Sequence, residues 1–63
     1  MYILGDRPTT PSEAYDTLEN VFGGDAFSGE DALETLVEVM NTSEQTAKTE
    51  LNNLFRVGAI EEA

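Results

Sequence analysis

The chain has 63 residues, no cysteine, no histidine, and thirteen acidic side chains against three basic ones, a formal net charge of −10. That length holds one small domain with a small core, and the missing residue types exclude disulfides, thiol nucleophiles, cysteine metal sites and the commonest general base and transition-metal ligand. Apolar runs such as Met1 to Leu4 are too short to span a bilayer or to form a signal-peptide core, so a soluble cytoplasmic domain with no membrane partner is expected.

Tyr2 to Leu4 reads as a short extended segment ahead of the turn-like Gly5-Asp6-Arg7-Pro8. Thr10 and Glu13 bracket Pro11 as a capping box with proline at the first helical position, and Ala14, Leu18, Val21 and Phe22 then repeat at helical spacing beside Tyr15 until Gly23-Gly24. This predicts a first helix over 11–22. Asp25 to Phe27 links it, with Phe27 aimed at the core, to a second helix capped by Ser28 with Asp31. That helix, about 29–40, carries the stripe Ala32, Leu33, Leu36, Val37 and Met40, while Glu30, Asp31, Glu34 and Glu38 fall on the opposite side. Asn41 ends it, and a turn of about three residues leads to a third helix. Thr42 with Gln45 is its expected capping box, 43–57 its span, and Ala47, Leu51, Leu54 and Phe55 its buried face, with Leu51 at the centre. Gly58 terminates it, and Ala59 to Glu61 reads as a short strand that can pair with Tyr2 to Leu4. The expected fold is mainly α, a single domain over 1–63: a three-helix helix-turn-helix core with a minimal β-element from the N- and C-terminal strands.

The charge has two readings. Low hydrophobicity with high charge marks disorder, but 40% of these residues are hydrophobic and fall at helical spacing. A single lysine, many small Ala, Thr and Val residues, and acids spread over the whole chain instead look like proteins of extreme halophiles. In molar salt the Debye length is ~3 Å, so like-charge repulsion is largely screened.

Three short helices, a tight turn between the second and third, and a strand after the third resemble the winged helix-turn-helix family over roughly residues 11–62. The sharpest part is the spacing of Ala47, Leu51, Leu54, Gly58 and Ile60, with Phe27, Ser28 and Leu36 where the family places its first strand, its second-helix cap and a core leucine. Thr42 departs from the valine or isoleucine usual at its position. The sequence also stops after one strand, where the family continues into a β-hairpin wing, so the wing is missing or Tyr2 to Leu4 replaces part of it. The resemblance implies sequence-specific binding of double-stranded DNA by a transcription regulator, here one working at high salt.

The third helix suits that role. Residues 43–58 hold Lys48 and Arg56 against Glu44 and Glu50, a local charge of zero (two minus two), so the −10 belongs to the rest of the chain. At about 100° per residue, Gln45, Thr49, Asn52 and Arg56 line up opposite the buried face, Lys48 and Asn53 lie at its margins, and Glu44 and Glu50 fall near the core-facing side. Amide, hydroxyl and guanidinium groups match base edges in a major groove. The expected DNA-contacting set is therefore Gln45, Thr46, Lys48, Thr49, Asn52, Asn53 and Arg56. Helix-turn-helix proteins commonly pair on DNA, and a small core gains from a second copy, so a homodimer is one assembly the sequence allows.

A polar stripe is also what any solvated helix presents. The alternative function is a protein-interaction module built on the same trihelical fold, its acidic second helix meeting a basic protein partner or acting as a DNA mimic. An enzyme is not expected: the sequence holds no phosphate-binding glycine motif and no calcium loop. No cofactor, catalytic residue or metal site is assigned, and Glu34 with Glu38 offers at most a loose hold on K⁺ or Na⁺.

Overall fold

The computed structural model describes residues 1–63. The elements run β1 (Tyr2–Leu4), α1 (Glu13–Phe22), α2 (Gly29–Val39), α3 (Glu44–Arg56) and β2 (Ile60–Glu62). The architecture is mainly α, with the two strands forming a small antiparallel sheet at the termini.

The helix starts are set by serines. Ser12, not Thr10, caps α1: its hydroxyl accepts from the Tyr15 N–H at 3.1 Å, and the helix begins at Glu13 with Pro11 outside it. Both hydroxyl residues have cap chemistry, and Ser12 is the one three residues before Tyr15, where its hydroxyl meets that N–H. Ser28 caps α2 as the sequence implies, accepting from Asp31 N–H at 3.0 Å. For α3 the cap is Ser43 rather than Thr42. Its hydroxyl accepts from Thr46 N–H at 3.2 Å and donates to the Thr46 hydroxyl at 3.0 Å.

Thr42 instead belongs to the end of α2. Asn41 takes a left-handed conformation (φ 51°) and Thr42 N–H donates to the Val37 carbonyl at 3.2 Å. That six-to-one bond around a left-handed residue is the Schellman closure. The same device closes α3, where Gly58 has φ 80° and Ala59 N–H donates to the Leu54 carbonyl at 2.9 Å. These closures end α2 at Val39 and α3 at Arg56, each one residue earlier than the periodicity implies, lengthen the turn between them to the four residues 40–43, and shift β2 one residue on, to Ile60.

All three helices contribute to the core. Each helix contributes an alanine no more than 1% exposed (Ala14, Ala32, Ala47), small residues that let helix ridges approach, and Leu18, Leu36, Leu51 and Leu54 fill the space between with Tyr15, Phe27 and Ile60. Leu36 and Leu18 are fully buried, whereas Leu51 sits at the edge of the core at 8%, so the packing centre is on α1 and α2. Two residues assigned to the buried faces lie outside. Val21 is 51% exposed, because the side chain closing that end of α1 is Phe22, stacked on Phe27 with ring centroids 4.7 Å apart. Phe55 is 38% exposed and rests edge-on against Tyr2 at 5.0 Å.

β1 is the middle of the β layer. It pairs with β2 in the register Tyr2 to Glu62, Ile3 to Glu61 and Leu4 to Ile60, and on its other side Tyr2 exchanges backbone hydrogen bonds of 2.7 and 2.8 Å with Phe27. Beyond the ladder, Ala63 N–H reaches the Met1 carbonyl at 3.0 Å and Gly5 N–H the Ala59 carbonyl at 2.7 Å. Gly5 is required here: a Cβ would stand 2.5 Å from the Gly58 carbonyl oxygen. No helix is long and apolar enough to cross a membrane.

Candidate nucleic-acid interface

α3 turns Ala47, Leu51 and Leu54 into the core and leaves its opposite side uncovered. Gln45, Thr49, Asn52 and Arg56 are all exposed there, a row that spans roughly 16 Å at 1.5 Å per residue. The side chains are partly organised already. Thr49 donates its hydroxyl to the Gln45 carbonyl at 3.1 Å, and Arg56 donates to the Asn53 amide oxygen at 2.8 Å. What remains free outward is the two amides of Gln45 and Asn52, an acceptor on Thr49, and most of the guanidinium donors of Arg56.

The other assigned residues are brought near the row but not into it. Thr46 is held in the Ser43 cap, about 100° around the helix from Gln45. Asn53 acts on Arg56 rather than outward. Lys48 lies on the opposite flank, its ammonium 3.4 Å from the Glu44 carboxylate. Glu44 is therefore not core-facing: both side chains of that pair are more than half exposed, because Glu44 stands at the rim of the cleft between α2 and α3, where an i,i+4 pair forms in solvent. Glu50 is half-buried on the far flank.

The three cations divide by partner. Arg7 is spent on α1, bonded to Asp16 at 2.6 Å and to Glu19, with its guanidinium 4.9 Å from the centre of the Tyr15 ring. The Asp16 hydrogen bond first, then the charge of Glu19, raise its pKa above the ordinary arginine value. Tyr15 in turn donates to the Gly5 carbonyl at 3.2 Å, so the segment read from sequence as a plain turn is fastened to α1. Lys48 is spent on Glu44. Arg56 alone has no carboxylate within 4 Å.

Beside the row, α3 and the start of α2 enclose a cleft of about 430 Å³ lined by Gly29, Glu30, Leu33, Lys48, Asn52 and Phe55 among others. No three carboxylates gather in a way that could hold a metal ion. Comparison with known protein families, curated proteins and solved structures found no match to this chain.

Proposed function

We propose that the domain binds double-stranded DNA through α3, as a sequence-specific transcription regulator of the winged helix-turn-helix type acting in the cytoplasm at high salt. The observation that carries this reading is the acid-free polar row Gln45, Thr49, Asn52 and Arg56, left uncovered by every other element. A helix fits the B-DNA major groove, and amide and guanidinium groups are the ones that bond base edges there. The placement of β1 between Phe27 and β2 supports the same reading, since it stands where the returning strand of a wing would lie.

The charge distribution supports high-salt conditions for this binding. Ordinary DNA affinity comes largely from cations on phosphate and declines as salt rises. Here DNA approaching α3 also approaches Glu30 and Glu44, and the whole chain carries −10. Raising salt removes a repulsion before it removes any attraction, so the salt slope is shallow or reversed and short-range contacts supply the affinity. Selection of genomic fragments in about 2 M KCl, followed by titration of the selected duplex at falling salt, tests this. Recovery of one sequence whose binding weakens on dilution of the salt supports it; recovery of no DNA sinks it. Sedimentation of the complex shows whether one α3 or a homodimer reads the site.

A further inference from the structure

We infer that the groove between α2 and α3 is a docking site for a basic amphipathic helix of a partner protein. The cleft described above adjoins a second, of about 380 Å³, that continues it along α2 and shares Glu30, Leu33 and Glu44. Its floor is apolar. Leu33 and Val37 stand one turn apart on α2, and Leu51 and Phe55 one turn apart on α3. Leu51 belongs to the core, but the other three are partly covered side chains that the core does not enclose: Leu33 and Val37 only flank it, and Phe55 is 38% exposed.

The shape selects a helix. Two i,i+4 ridges with a groove between them receive the ridge of a third helix. An extended peptide gains nothing comparable, because neither wall is a strand edge and its backbone N–H and C=O groups would find no partners. The groove along Leu33 to Val37 and Gly29 measures roughly 12 Å at 1.5 Å per residue, a match for two to three turns.

The rim selects the charge. Glu30 and Glu34 line one wall and Glu44 the other, and the single cation in the lining, Lys48, is already paired with Glu44. Lysines or arginines flanking an apolar stripe would meet three carboxylates there, and an acidic occupant would meet repulsion. A second copy of this chain is disfavoured on the same ground, since each copy brings −10. The groove borders the outward row of α3 and shares Asn52 with it, but its apolar floor and acidic rim lie outside the row, so the inference stands without the DNA reading.

The probe is a synthetic helical peptide of about three turns with a leucine stripe flanked by lysines, compared with a scrambled peptide of the same composition, by fluorescence anisotropy in about 1 M KCl, where diffuse attraction is screened. The striped peptide should bind at least about tenfold tighter and shift the wild-type amide resonances of Leu33, Val37, Leu51 and Phe55. Glu30→Lys with Glu34→Lys should cost about tenfold or more, while Glu13→Lys with Glu62→Lys, the same change of charge elsewhere, should cost less than about twofold. Arg56→Ala should leave peptide affinity unchanged, which separates this site from any DNA reader. Equal binding of the scrambled peptide, equal loss in the two charge-reversed pairs, or resonance shifts away from the groove would each overturn the proposal. So would self-association that perturbs the groove resonances without peptide.

Discussion

The outward face of α3 and the outward faces of α1 and α2 are built on the same inward pattern and differ only in what they show to solvent. α1 exposes Glu13, Asp16 and Glu19, and α2 exposes Glu30, Asp31, Glu34 and Glu38. α3 exposes Gln45, Thr49, Asn52 and Arg56 in the equivalent place. Solubility does not explain the difference, since acids would serve it on α3 as well. The net charge is thus a property of α1, α2, β2 and the connecting segments, and it says little about the face of the third helix. A property averaged over a chain this small conceals the one surface that departs from it.

The inward faces carry the stability, and substitutions there give the largest expected effect. Leu36→Ala, at a fully buried position, should cost about 2 to 5 kcal/mol, comparable with the whole stability of a small domain. Leu51→Ala should fall at the low end of that range, because its site at the cleft edge can relax or admit water. Thermal melts in molar KCl rank the two; a larger loss at Leu51 would move the packing centre back to α3.

The outward faces should respond oppositely. If α3 reads DNA, Asn52→Ala and Arg56→Ala should each weaken the selected duplex by about 1 to 3 kcal/mol while leaving the melt unchanged. Glu34→Gln on α2 should leave DNA binding intact or slightly tighter. Full affinity in both α3 variants would remove the functional meaning of the contrast and leave it as a pattern of solvation.

The helix starts give a smaller effect and show what the sequence could not decide. Ser43→Ala should cost about 1 kcal/mol and Thr10→Ala close to nothing, measured by denaturant melts at fixed salt. Periods of 3.6 made all three helices and most of the core legible, because burial leaves a mark on every turn. Caps are not legible in that way. Thr10 with Ser12, and Thr42 with Ser43, are pairs of hydroxyl residues with the same local chemistry, and only the hydrogen bonds to Tyr15 and Thr46 choose between them. A helical projection also points Phe55 and Glu44 inward, since a wheel shows direction and not how much of each residue the neighbouring elements cover. The polar row of α3 could be read from spacing alone; the Arg7 clip and the α2–α3 groove could not, because both depend on how distant segments cross.

The smallest effect concerns Arg7, the one cation paired with α1. Arg7 stands between Asp16 and Glu19 and over Tyr15, so its loss leaves two carboxylates facing each other on a helix with no other positive charge. The side chain is exposed, and exposed pairs are weak and screened by salt. Arg7→Ala should therefore lower the melting temperature in dilute buffer, and the gap to wild type should close as KCl rises toward the molar range. Wild type should itself gain helix content and melting temperature over the same titration, since repulsion among thirteen acids is screened with it. Arg56→Ala, which frees no carboxylate, should track wild type at every salt concentration. Circular dichroism of the three proteins through one KCl series separates the terms. If the Arg7 gap persists undiminished in molar salt, the clip works through packing on Tyr15 and the bond from Tyr15 to Gly5 rather than through charge. If wild type is equally stable at both ends of the series, its acids are tolerated without screening and the high-salt setting of the α3 reading falls away.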